Sequence, residues 1–129
     1  MRILVVEDEL VSRILLQKLL ALHGTCDIAV NGREGVQAFD LAWQDKKPYD
    51  LICLDIMMPD MDGHEALRII REREKEMGIK GLKEEVKVLM TTALTDPKNV
   101  MDAFYWGATE YLFKPITKKG LFDKLKVLG

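Results

Sequence analysis

Cysteine is scarce in this chain: Cys26 and Cys53 are the only two among 129 residues. That excludes a disulfide framework, and both fall in predicted strands where a reduced thiol acts as a small core residue. Histidine is equally rare. His23 and His64 lie far apart with no third ligand near either, and no cysteine–histidine spacing suggests zinc. No apolar run approaches the roughly 20 residues needed to span a bilayer. Met1 leads directly into the first apolar stretch, so neither a membrane anchor nor a signal peptide is expected, and the cytoplasm is the expected location. Charge of one sign is also lacking. A formal net charge of −2 gives no support for direct nucleic-acid binding. No repeat or low-complexity tract interrupts the chain. What is present, 48% hydrophobic residues over this length, suffices for one domain over residues 1–129 with its own core.

Apolar runs and helical periodicities alternate along the chain. Residues 2–6, 25–29, 50–54, 86–90 and 109–113 read as strands, and 9–22, 32–45, 63–77, 96–106 and 117–127 as helices. Five βα units predict an α/β fold, a parallel sheet covered by helices on both faces. In the first helix Val11, Leu15, Leu19 and Leu22 share a face, with Ile14 adjoining. Asn31 with Glu34 resembles a capping box. Asp96-Pro97 reads as an N-cap followed by proline, and Thr117 can cap the last helix. That helix has a spine of Leu121, Leu125 and Leu128 beside Phe122. In the fourth helix Val100, Met101 and Phe104 should face inward, leaving Trp106 exposed beside Tyr105 as part of a partner-binding patch. The charged stretch from Glu72 to Glu85, with Gly78 and Gly81, reads as a solvated helix end and loop.

The chemistry lies at the strand ends. Leu51-Ile52-Cys53-Leu54 is a buried-strand signature that stops at Asp55, and Pro59, Asp60, Asp62 and Gly63 then mark a loop. Open parallel sheets place their ligand sites at such carboxyl ends. Ile3-Leu4-Val5-Val6 stops in the same way at Glu7-Asp8-Glu9. In neighbouring parallel strands Glu7, Asp8 and Asp55 would stand within several ångströms of one another. Clustered carboxylates repel, so an all-oxygen group of this kind suits a hard cation such as Mg²⁺. Val86 to Ala93 is a strand ending in the hydroxyls of Thr91 and Thr92, and Thr109 to Pro115 one ending in Lys114. A turn-capping Asp, a solvated Thr and a snorkelling Lys would each account for one of these ends alone. Together they supply metal ligands, a hydrogen-bond donor and a charge clamp, the needs of a phosphoryl group on a carboxylate.

These pieces, taken in order, resemble the receiver domain of two-component response regulators, from about Met1 to Leu128. The carriers are Glu7-Asp8, Asp55 with Met57-Met58-Pro59-Asp60-Met61-Asp62-Gly63, Thr92-Ala93 and Tyr111-Leu112-Phe113-Lys114-Pro115. The resemblance is to single-domain, chemotaxis-type receivers. It implies a doubly wound, flavodoxin-like (βα)5 three-layer sandwich with strand order 2-1-3-4-5. It further implies Asp55 as phosphoacceptor and Mg²⁺ held by Asp8, Asp55, the Met57 backbone carbonyl and, through water, Glu7. Thr92 and Lys114 would bind the phosphoryl group. Thr92 with Tyr111 would form the switch, the ring entering space that Thr92 vacates, and Met57 with Leu94 would tune dephosphorylation. The Lys114-Pro115 peptide would be cis. The implied partners are a sensor histidine kinase or phosphotransfer protein, and a downstream protein read through helix 4, strand 5 and helix 5, around Lys118, Lys119, Lys124, Tyr105 and Trp106.

Two features depart from the family pattern: the long 72–85 connection, and Trp106 where a small residue is usual. The implied function is a phosphorylation-dependent signalling switch and not an enzyme, either stand-alone or cut from a longer regulator with its own output domain. An aspartyl-phosphate phosphohydrolase would want a second carboxylate at Met57. An FMN-binding protein would need a hydroxyl- and glycine-rich loop where Glu7-Asp8-Glu9 repels phosphate. A receiver-like interaction domain that is never phosphorylated would not need the intact acid, Thr and Lys set.

Overall fold

Among the described strands all but one have a buried apolar middle, and the topology explains why. In the computed structural model, which describes residues 1–79, 81, 83–93 and 97–129, the strands form one parallel sheet. They are β1 (Arg2–Val6), β2 (Thr25–Ala29), β3 (Leu51–Asp55), β4 (Lys87–Thr92) and β5 (Glu110–Phe113), in the order β2-β1-β3-β4-β5. The helices are α1 (Leu10–Leu20), α2 (Gly32–Gln44), α3 (Gly63–Glu76), α4 (Pro97–Tyr105) and α5 (Lys118–Leu128). Side chains alternate across the sheet, so β1 sends Leu4 and Val6 to one core and Ile3 and Val5 to the other. The first core joins them to Phe39 of α2, Leu67 and Ile70 of α3 and Ala103 of α4. The second adds Leu16 and Leu20 of α1 and Leu121 of α5. Each such fully buried leucine or phenylalanine contributes about 1.5–3 kcal/mol. β2 lies at the sheet edge and is the exception, with Thr25 and Asp27 exposed. Among the described residues no helix is long and apolar enough to cross a membrane.

Several boundaries and faces differ from the sequence reading. β3 takes in Asp55, whose Cα pairs with Thr91, and β4 runs on through Thr92. Polar strand ends still complete ladder bonds when a neighbouring strand is there to receive them. α1 begins after Glu9, and its buried residues are Leu16 and Leu20, with Leu15 and Leu19 half-buried. Val11, Ile14 and Leu22 are exposed. A helix with apolar side chains on several faces does not reveal its own rotation; the sheet it lies on decides that. In α4 the buried residue is Ala103, with Val100 packed beside it, while Met101 and Phe104 are exposed. Trp106 is exposed next to Tyr105, their rings edge-on at 5.0 Å, as the helical arithmetic required.

The caps follow the sequence closely. Asn31 accepts the Glu34 N–H at 2.8 Å, although Glu34 reaches back to the Val30 N–H and not to Asn31. Thr117 accepts the Gly120 N–H at 3.0 Å. Asp96 lies outside the described residues. The 72–85 stretch is not wholly solvated, because Glu74 is buried.

Candidate functional site

The carboxyl ends of β1, β3, β4 and β5 meet at one rim of the sheet, and each end is held by its own local bonds. After β1, Glu7 continues the ladder by donating its N–H to Ala29 at 3.1 Å. Glu9 then caps α1, accepting the Ser12 N–H at 2.6 Å. Those bonds from Ser12 hold the exposed Glu9 carboxyl below the usual range. Arg13, one turn into the helix, donates to the Glu7 and Asp8 carbonyls at 3.1 and 3.3 Å. The acidic loop is therefore held through its backbone, and Glu7 Oε2 adds a further bond by accepting the Glu9 N–H at 3.1 Å. Glu7 is buried and Asp8 is exposed.

After β3, Ile56 donates to the Thr91 carbonyl at 3.1 Å, and Gly63 donates to Ile56 at 2.8 Å. Asp62 caps α3 by accepting the Glu65 N–H at 2.9 Å. A Cβ on Gly63 would collide with the Asp55 carbonyl, and this close approach is why glycine stands at the start of α3. Met57 stands exposed on the rim, with Met58, Pro59, Asp62, His64 and Asn99 lining a cleft of about 430 Å³ beside it.

At the other strand ends, Lys114 donates its backbone N–H to Thr92 at 2.7 Å, and the Lys114–Pro115 peptide is cis. Thr92 is buried, and Tyr111, only 4% exposed, hydrogen-bonds to it. Burial pushes the Tyr111 phenol up, partly opposed by that bond. The sequence reading had this ring entering space that Thr92 leaves. In the structure Tyr111 is buried, with its ring 5.0 Å from that of Phe113.

The side chains converge. Glu7, Asp8 and Asp55 each place one carboxylate oxygen within 4.8 Å of the others, the group among the described residues that could hold a metal ion. The Lys114 ammonium lies 2.7 Å from Glu7 Oε1 and 3.5 Å from Asp55 Oδ2. It pairs more closely with Glu7 than with Asp55. Burial, a hydrogen bond shared with Glu7, and the Glu7 and Asp8 charges push the Asp55 carboxyl up to about 7, against the pull of Lys114. Burial pulls the Lys114 ammonium down, but Glu7 and Asp55 outweigh it and leave it raised. Like charges crowded in this way, all through oxygen, fit a hard divalent cation such as Mg²⁺. Leu94 lies outside the described residues.

The capping bond of Glu9 and the contacts of Arg13 escaped the sequence reading. The Glu9–Ser12 spacing was the available signal for the cap. Arg13 acts on backbone carbonyls, which no side-chain pattern encodes.

Residues 3–126 match the response regulator receiver domain. The two-component response regulator ARR10 of Arabidopsis thaliana is 35% identical over 117 residues, covering 90% of this chain and 19% of that protein. The transcriptional regulatory protein CusR of Escherichia coli K12 is 35% identical over 129 residues, 99% of this chain and 51% of the relative. The response regulator ORR41 of Oryza sativa is 33% identical over 121 residues, covering 93% and 87%. The chain thus spans about a fifth of the first of these relatives and about half of the second. Among solved structures, the chemotaxis protein CheY4 of Vibrio cholerae superposes with a TM-score of 0.80 at 26% identity, covering 99% of this chain and 98% of its own. A chain of the CheX–CheY–BeF3–Mg complex from Borrelia burgdorferi gives 0.84 at 26% identity, covering 98% and 87%.

Proposed function

The chain belongs to the response regulator receiver domain family, and on that premise we propose that Asp55 accepts a phosphoryl group and that residues 1–129 work as a phosphorylation-dependent signalling switch. One observation carries the reading: a buried strand-end carboxylate faces two further carboxylates and an ammonium across less than 5 Å. The donor is a phosphohistidine on a sensor kinase or a phosphotransfer protein. An Asp55 oxygen attacks phosphorus in line. The new P–O bond forms as the P–N bond breaks, and the imidazole leaves with the electron pair.

Asp8, Asp55 and the Met57 carbonyl would hold Mg²⁺, with Glu7 acting through water. The ion would offset charge on the phosphoryl oxygens. Lys114 supplies the second positive charge once it turns from Glu7 to the incoming group, and Thr92 donates a hydrogen bond to a phosphoryl oxygen. Raised to about 7, the Asp55 carboxyl is partly protonated at neutral pH, and any added positive charge at the rim restores the nucleophilic carboxylate.

The product places a doubly charged group at one point, enough to bias a two-state element. Thr92 drawn towards the phosphoryl group takes its hydrogen-bonded Tyr111 with it. The motion is read on α4, β5 and α5. There Met101, Tyr105, Trp106 and Phe113 are exposed near Lys118, Lys119 and Lys124, a surface for a downstream protein in the cytoplasm. Met57 sits where a phosphohydrolase would carry its acid, which favours a switch over an enzyme. Incubation with acetyl phosphate and Mg²⁺ should add one phosphoryl group by intact mass. Asp55→Asn should add none, and full labelling of that variant elsewhere would overturn the assignment.

A further inference from the structure

Arg71 and Glu74 are charged, both lie on α3, and both are buried: their side chains are 10% and 2% exposed. Neither touches the phosphoacceptor rim. Arg71 uses its whole guanidinium, with Nε and Nη2 donating to the Gly107 carbonyl at 3.0 and 2.8 Å and Nη1 reaching Glu74 Oε1 at 2.6 Å. The second Glu74 oxygen accepts the Val86 N–H at 2.7 Å. Glu85 adds a carboxylate at 3.9 Å from Arg71.

Gly107 is where α4 ends. Ala108 donates back to Ala103 at 2.9 Å and Gly107 to Phe104 at 3.1 Å, a glycine cap at φ +107°. A Cβ on Gly107 would press on Arg71 Cγ and Nε at 3.0 Å, so glycine is required both for the turn and for the guanidinium. Thr109 then locks to Val88 by two bonds of 2.9 and 3.0 Å. The carboxyl end of α4 is thus tied to α3 and to the start of β4. Its amino-terminal half is different: Pro97, Lys98 and Met101 are exposed, and Asn99 and Val100 are half-buried. That half follows the Thr92 end of β4.

A buried ion pair seldom stabilises more than an apolar pair of the same size would. What it adds is fixed direction: the fork of Arg71 holds one carbonyl in one place. We infer that the Arg71–Glu74 pair is a hinge clamp, holding the carboxyl end of α4 at Gly107 so that phosphorylation at Asp55 tilts the helix about that end. This rests on the phosphoacceptor reading above. Arg71 and Glu74 are positioning residues, and they decide where on α4 the signal appears: at the Thr92-facing end and not at Trp106.

The test uses amide NMR with beryllofluoride and Mg²⁺, a phosphoryl mimic, with Trp106 emission followed in a Trp43→Phe background. Residues 97–101 should shift, while Gly107, Ala108 and the Arg71 Nε–H stay in place. In Arg71→Met/Glu74→Gln, which keeps the site neutral and leaves an acceptor for Val86, the shifts should spread to Trp106–Thr109. Trp106 emission should then respond several-fold more than with the clamp intact. Arg71→Lys, which keeps the charge without the fork, should behave as the loosened form. If those variants do not fold, hydrogen exchange on the unaltered protein decides: protection at Gly107–Thr109 should not change with beryllofluoride. Shifts at Gly107 as large as those at 97–101, or the same distribution with and without the clamp, would overturn the hinge. Silence at Asp8 and Asp55 as well would remove the phosphoacceptor reading, and the hinge with it.

Discussion

Among the described residues charge is buried in two places, and in opposite ways. At the carboxyl rim of the sheet Glu7, Asp8 and Asp55 crowd three like charges against one lysine. On α3, Arg71 and Glu74 pair opposite charges, and all three guanidinium nitrogens and both carboxylate oxygens have defined partners. The satisfied pair is complete as it stands. The crowded rim is not, since burial and its neighbours hold Asp55 up to about 7. Buried opposite charges fix geometry; buried like charges mark a candidate binding site.

The contrast breaks most sharply at Asp55. Asp55→Asn leaves the fold standing and should abolish phosphorylation from acetyl phosphate, read as the loss of the mass gain. Arg71→Ala should do the reverse. It leaves Glu74 buried without its cation, costing about 3–5 kcal/mol of stability by chemical denaturation, while the residual folded protein still takes up phosphoryl.

pH sharpens the comparison. With Asp55 raised from 3.8 to about 7, the folded chain keeps a proton that the unfolded chain has lost between those values. The Asp55 contribution to metal-free stability is therefore most favourable below the ordinary carboxyl pKa, falls as pH rises across that window, and reaches its full penalty above it. Asp55→Asn and Asp8→Asn remove like charge. Each should gain on the parent across that window, by about 1–2 kcal/mol once water screening at the exposed Asp8 side is allowed for. Thermal melts at pH 4 and pH 8 without Mg²⁺ check this. Parallel curves would mean that the rim is not strained, and a large loss for Asp8→Asn would make Asp8 structural. The smallest effect is kinetic. Met57→Asn, paired with Leu94→Glu, should change the acyl-phosphate decay rate several-fold, about 1 kcal/mol of barrier. An unchanged rate would take these side chains out of the account.

The rim was legible because its residues are strand ends. An apolar run that stops at an acid, a hydroxyl or an ammonium announces both the strand and the group it delivers, and parallel pairing brings the ends together. Asp55 and Glu7 needed only that logic. The α3 pair was not legible. Glu74 sits in the charged stretch from Glu72 onward that reads as a solvated helix end, and Arg71 immediately precedes it in the run RIIREREKE. Nothing local says that one guanidinium will find a carbonyl 36 residues away. The faces of α1 and α4 were misjudged for a related reason: with apolar side chains on several sides, Leu16 and Ala103 are chosen by the sheet beneath them.

By itself the sequence determined the alternation of five strands and five helices, the caps at Asn31 and Thr117, and the chemistry at the strand ends. All of these are short-range consequences of polarity, periodicity and backbone sterics. Only the tertiary structure decided which helix face is buried, that Tyr111 lies inside against Thr92, that Lys114 rests on Glu7, and that two charges of α3 end up out of water. Burial and long-range pairing depend on what lies opposite in space, and no neighbour along the chain carries that information.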